Sequence, residues 1–223
     1  MTSVRSNRGA QLRLALTIAA LTVVWLTMLV FGAGAADRVI YGALYAGDRP
    51  AVVAVATFFT WLGEPYVLIA ASVLLGLYLW WRGQPRLALA AVAITMLARV
   101  LNSLQKLWIA RLRPDLEEHL VIVQTMSFPS GHSTSSMAFY LVLALVLTQG
   151  SRWRPLAVAA GLLMAICVGV SRVMLGVHWP SDVLGGWAFG MLWVLLTLRI
   201  ADRYVQRGVT EADKKSEAMP ARR

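Results

Sequence analysis

The sequence predicts an all-α, polytopic membrane protein, with six transmembrane helices in one bundle and residues 1–223 forming a single membrane-embedded domain. Three observations lead there. Of the 223 residues, 58% are hydrophobic and 14% charged, whereas a soluble domain carries about a quarter charged residues. Several apolar runs reach the roughly 17–25 residues that a helix needs to cross a bilayer. The basic residues behind the net charge of +10 gather beside those runs. In a soluble chain that charge would point to nucleic acid. Here the arginines flank spans and set topology, so no nucleic-acid partner is expected. The single cysteine, Cys167, lies inside an apolar run, which excludes an internal disulfide and a thiolate metal site.

The elements follow in order. Residues 1–11 are polar and carry Arg5 and Arg8; residues 12–32 form the first span. Ala33-Gly34-Ala35 resembles a signal-peptidase site, but the run is longer than the roughly 7–15 residues of a signal core, so an uncleaved span is expected. Residues 51–62 are apolar but too short to cross, which fits an interfacial or re-entrant helix. Gly63-Glu64-Pro65 breaks the chain. Residues 65–81 form the second span, which closes on the interfacial pair Trp80 and Trp81. A basic turn at 82–86 leads to a third span at 87–103. After a mixed loop, spans four to six cover about 132–149, 155–171 and 180–200, with a second basic turn at 152–154. Residues 201–223 are charged, lack an apolar period, and are expected to be a disordered tail.

The arginine count sets the orientation. Six spans place the N-terminus, both basic turns and the tail on one side, which the positive-inside rule makes the cytoplasm. Loops 33–64, 104–130 and 172–181 then share the outer side.

Those loops hold the groups able to carry chemistry. Arg99, Lys106 and Arg113 recur every seven residues, which in a continuous helix puts them near one face. An Arg in the hydrocarbon core costs roughly 2.5–3.5 kcal/mol, so Arg99 is expected to face the bundle interior. Arg172 ends the fifth span in the same region. Each cation alone would be a helix-end anchor; four together call for an anion or several carboxylates. Asp115, Glu117 and Glu118 answer equally to that balance or to a solvated rim. Pro129-Ser130-Gly131-His132 reads as a helix start, whose free N–H groups suit a phosphate, or as a plain N-cap beside an interfacial His. Asp182 falls in the first turn of the sixth span. There it serves as a helix-end charge, or as acceptor for one ring nitrogen of His178, leaving the other free as a nucleophile. His119 fits neither pattern and reads as a surface His.

Lys106, six residues, Arg113-Pro114; then Pro129-Ser130-Gly131-His132; then Ser171-Arg172, five residues, His178, three residues, Asp182 together resemble the type-2 phosphatidic acid phosphatase family. Its members include bacterial lipid phosphatases and soluble vanadium haloperoxidases. The motifs span residues 106–182 without a departure, and in this order and spacing they are highly specific. The resemblance implies an active site at the outer face of the bundle. His178 would form a phosphohistidine, Asp182 would orient it, and His132 would protonate the leaving oxygen and then activate water. Lys106, Arg113 and Arg172, with Ser130 and the Gly131 N–H, would bind the phosphate. No metal or other cofactor is implied. The expected substrate is a phosphorylated membrane lipid: undecaprenyl diphosphate, phosphatidylglycerophosphate, phosphatidic acid or a diacylglycerol diphosphate. The expected location is the plasma (inner) membrane, multi-pass, with both termini cytoplasmic and the site facing the periplasm or outside. A phosphotransferase of the same family fits the motifs equally. The spans argue against a haloperoxidase, and intact motifs argue against a non-enzymatic carrier or scaffold.

Overall fold

A computed structural model describes residues 2–217. The regular structure of the described residues is all helix: α1 (Thr2–Phe31), α2 (Ala35–Leu44), α3 (Pro50–Leu62), α4 (Pro65–Trp81), α5 (Pro85–Ile109), α6 (Gly131–Leu147), α7 (Arg154–Met174) and α8 (Pro180–Glu217). The starts follow from proline. Pro50, Pro65, Pro85 and Pro180 open their helices and Pro155 sits in the first turn of α7. At that position the missing N–H would have had no partner anyway, and φ is already helical.

Four stretches are long and apolar enough to cross a membrane: Gly9–Phe31, Pro85–Ile109, Arg154–Met174 and Pro180–Ile200. Pro50–Leu62 and Pro65–Trp81 qualify together as one unit bent by 44°, and Gly131–Leu147 is shorter. The described residues therefore contain four spans, or five with the bent pair. This is fewer than the six expected, because α4 and α6 have only 17 residues each. The short apolar run at 51–62 is a helix, as its composition requires. It starts beside the end of α7, where the Ala46 N–H donates to the Met174 carbonyl, and ends beside it again, where Thr60 accepts from Arg172.

Helix α6 is the centre of the bundle, packed on α4, α5, α7 and α8, while α1 lies along α8. Its buried face is small: Ser133, Thr134, Ser136 and Ala138 are sealed off. Small residues on the neighbours let the backbones approach. A Cβ on Gly186 would meet Ser133 Cβ at 2.8 Å, one on Gly190 would meet the Thr134 carbonyl at 2.6 Å, and one on Gly161 would meet the Tyr140 carbonyl at 2.8 Å. The larger apolar side chains, among them Leu74, Leu89, Leu107 and Leu163, stay on the outer surface, as a lipid-facing surface requires.

Two expectations are corrected. The third span does not end near 103: α5 continues to Ile109 and stops at Ala110, in the left-handed region with φ of 49°. Arg113 therefore lies beyond the helix and reaches the site from the 110–130 loop. The tail is not disordered from residue 201: α8 runs on to Glu217. Its Ala, Arg, Gln, Glu and Lys are good helix formers, and no proline intervenes before Pro220. The last part of the expected tail, 218–223, lies outside the described residues.

Candidate active site

The ends of α5 and α7, the start of α6, the α3–α4 break, the 110–130 loop and the α7–α8 segment converge at one end of the bundle. They enclose a cavity of about 200 Å3 whose wall includes Glu64, Arg99, Lys106, Arg113, His132, Arg172 and His178. Residues from five separate stretches thus meet where the sequence motifs required.

His178 sits between α7 and α8 and is 2% exposed. Gly176, at φ of +80°, turns the chain back after α7 to place it. Its Nδ1 faces Asp182 Oδ2 at 3.4 Å and Ser127 Oγ at 3.3 Å. Its Nε2 faces the Arg113 guanidinium, with Nη1 at 3.3 Å. A guanidinium can only donate, so Nε2 carries the lone pair and Nδ1 the proton. Burial, and then the charges of Arg113, Lys106 and Arg172, push the His178 pKa well below 6.5. The imidazole is neutral at neutral pH, with its lone pair toward the cations.

Asp182 makes both contacts considered for it, one to the first turn of α8 and one to His178. Oδ2 accepts the Trp179 N–H at 2.9 Å, closing the first turn of α8, and the Ser127 hydroxyl at 2.5 Å. Oδ1 is paired with Arg111 at 2.9 Å. The carboxylate is fully buried, and three donors besides the imidazole fix its orientation. It lies behind His178 and off the cavity wall.

Backbone carbonyls hold two of the cations, Lys106 and Arg113, and a side-chain hydroxyl holds Arg172. Lys106 Nζ donates to the Met126 and Ser127 carbonyls. Arg113 Nε donates to Thr125 O at 2.7 Å. Burial pushes the Arg113 pKa down to about 10, against the attraction of Asp182, which leaves it charged at neutral pH. Arg172 Nη1 donates to Thr60 Oγ1 at 2.6 Å, while its buried Nε has no hydrogen-bond partner among the described residues. Arg99 joins these cations on the wall, as its spacing from Lys106 implied.

At the start of α6, Gly131 and His132 line the cavity but Ser130 does not. Ser130 is sealed off, and its hydroxyl serves as the N-cap of α6, accepting from the Ser133 N–H at 3.5 Å. A Cβ on Gly131 would stand 3.2 Å from Asn102 Oδ1, so the glycine keeps this approach open. His119 stays outside, bonded to the Pro114 carbonyl at 2.7 Å. Asp115, Glu117 and Glu118 are exposed and off the wall, which favours the solvated-rim reading.

Four residues were not singled out for the site from the sequence. Arg111 pairs with Asp182; its signal was a second Arg two positions before Arg113-Pro114. Asn102 clamps the start of α6 through Pro129 O at 3.2 Å and Thr134 Oγ1 at 3.0 Å; it is one of three polar residues between Arg99 and Lys106, with Ser103 and Gln105. Glu64 lies 3.3 Å from His132 Nε2; its signal was an acid isolated at the Gly63–Pro65 break. Ser127 had none. Among the described residues no three His, Cys, Asp or Glu side chains converge as a metal site.

The chain is similar to known proteins over most of its length. The PAP2 superfamily model matches residues 86–206. Phosphatidylglycerophosphatase B of Bacillus subtilis (strain 168) is 34% identical over 161 residues, 70% of this chain and 79% of the relative. Undecaprenyl-diphosphatase of Sulfolobus acidocaldarius is 29% identical over 150 residues, 64% of this chain and 68% of the relative. The crystal structure of a transmembrane PAP2-type phosphatidylglycerolphosphate phosphatase from Bacillus subtilis superposes with a TM-score of 0.77 at 31% identity, covering 84% of this chain and 96% of that one. Motifs, bundle and cavity thus point the same way, and the chain belongs to the PAP2 superfamily.

Proposed function

We propose that the protein is a membrane lipid phosphatase that removes a terminal phosphate through a phosphohistidine on His178. The observation that carries this reading is the environment of His178: neutral, backed by Asp182 on Nδ1, with Nε2 against Arg113 and with Lys106 and Arg172 on the same cavity wall. The Nε2 lone pair attacks phosphorus and the P–O bond to the lipid breaks. The departing oxygen takes a proton from His132. A water then loses a proton to His132 and attacks the same phosphorus. The P–N bond breaks, its electrons return to Nε2, and inorganic phosphate leaves. Lys106, Arg113, Arg172 and the Gly131 N–H meet the charge on the non-bridging oxygens. Ser130 acts indirectly, by fixing the start of α6. The chemistry needs no metal.

The protein lies in the plasma membrane with both termini cytoplasmic. We read α4 and α6 as crossings at the lower length limit of roughly 17 residues, which gives six passes and puts the cavity at the outer face. Candidate substrates are undecaprenyl diphosphate, phosphatidylglycerophosphate and phosphatidic acid, the head group entering among the cations with the tails in lipid. The test is phosphate release by the purified protein in chelator on these three lipids, with His178→Ala as blank. Strong preference for one lipid, lost in the variant, identifies the substrate. No release above the blank on any of them refutes the phosphatase and turns attention to a lipid or sugar hydroxyl as phosphoryl acceptor.

A further inference from the structure

We propose that Glu64 is the positioning carboxylate of His132, forming a second histidine–carboxylate pair across the cavity from His178 and Asp182. The proposal rests on the reading of His132 as the acid of the first step and the base of the second. Glu64 Oε1 stands 3.3 Å from His132 Nε2. Glu64 is the N-cap of α4, yet its side chain makes no capping bond, so the carboxylate is not committed to its own helix.

The surrounding packing holds the pair in register. Gly63 is buried against the site: a Cβ there would meet Val168 Cγ1 at 2.3 Å and His132 Cδ2 at 3.1 Å. Tyr140, two turns beyond His132 on α6, donates its hydroxyl to the Leu62 carbonyl at 3.0 Å. The helix that carries His132 therefore also grips the break that carries Glu64.

Charge supplies the reason for the pair. The groups facing it are Arg99 and Lys106 from α5, Arg172 from α7, Arg113 from the 110–130 loop and His178 from the α7–α8 segment. Among the described residues Glu64 is the sole carboxylate on this wall. Nearby cations disfavour a further positive charge, so an imidazole that shares a cavity wall with four of them needs an anion to carry a proton. Glu64 supplies that anion, and the bound phosphate adds to it. The first step needs this proton only when the leaving group is a poor one, such as a lipid alkoxide.

The test is Glu64→Gln, nearly isosteric and uncharged, beside Glu64→Asp and His132→Ala. The kcat/KM against pH is measured on a lipid phosphate and on p-nitrophenyl phosphate, whose leaving group departs without a proton. In Glu64→Gln the alkaline limb on the lipid should move about one pH unit or more toward acid. The kcat/KM on the lipid should fall about 10- to 100-fold, as for other orienting partners, with a much smaller loss on the aryl ester. Glu64→Asp should restore part of both. An unmoved alkaline limb, or an equal loss on both esters, overturns the proposal and leaves Glu64 a merely structural residue. If His132→Ala itself loses equally on both esters, the reading of His132 as acid fails and this proposal falls with it. If His132→Ala is selective and Glu64→Gln is not, only this proposal falls.

Discussion

Arg111 is the contact on which the back of the site depends, and its removal gives the sharpest prediction. Its side chain is 11% exposed and its partner Asp182 is fully buried. It donates to Ser181 Oγ at 3.2 Å, to Asp182 Oδ1 at 2.9 Å, and to the Met28 and Leu29 carbonyls at 2.8 Å each. It also lies 4.2 Å from the centre of the Phe128 ring. Arg111→Met keeps the apolar stem and deletes the charge. The two carbonyls at the end of α1 lose a donor, and Asp182 is left buried without its counter-ion. Removing one partner of a buried pair costs roughly 3–5 kcal/mol. At about 2–4 °C per kcal/mol for a chain of this size, the unfolding midpoint should fall by roughly 6–20 °C in detergent. Activity should fall about 10- to 100-fold, since Asp182 loses part of what fixes it against His178. Arg111→Lys keeps the charge but cannot reach α1 and Asp182 together, and should be intermediate on both measures. A midpoint within about 2 °C of the parent, with kcat/KM unchanged in Arg111→Met, would refute the assigned role.

The further predictions concern protons, charge and metal. His178 has its pKa depressed, so the folded protein resists a proton that the unfolded chain accepts near pH 6.5. Its contribution to stability is complete above that pH and is lost as pH falls from about 6.5 through the folded value; unfolding midpoints from pH 8 to 4 should show the decline. The rate should be bell-shaped in pH, and a flat profile from about pH 5 to 9 would count against chemistry by two histidines. Arg99→Ala should lower kcat/KM because it removes a cation from the cavity wall; full activity with full stability would exclude Arg99 from substrate binding. Activity should survive a chelator and be inhibited by vanadate, and loss in chelator that magnesium restores would refute the metal-free mechanism.

Much of this protein was legible along the chain because its determinants are local. Apolar runs mark helices whichever neighbours they meet, and prolines mark the starts of α3, α4, α5, α7 and α8. Near-neighbour spacing carries part of the site as well: His178 and Asp182 are an i,i+4 pair across the start of α8, and Gly131 directly precedes His132. The tertiary structure alone decided which side chains complete these pairs. Arg111 reaches Asp182 across 71 residues of sequence and Ser127 reaches it across 55. Glu64 meets His132 only because α3 and α4 bend beside α6. The seven-residue spacing of Lys106 and Arg113 implied one helix face, but α5 stops at Ala110 and the loop delivers Arg113 instead. Ser130 reads as a phosphate ligand in the motif, and only the packed structure adds that its buried hydroxyl accepts from the Ser133 N–H at the start of α6. A lone polar residue in sequence carries no record of its partner. Burial decides the matter, because a charge taken from water must find its counter-charge wherever the packed helices bring one.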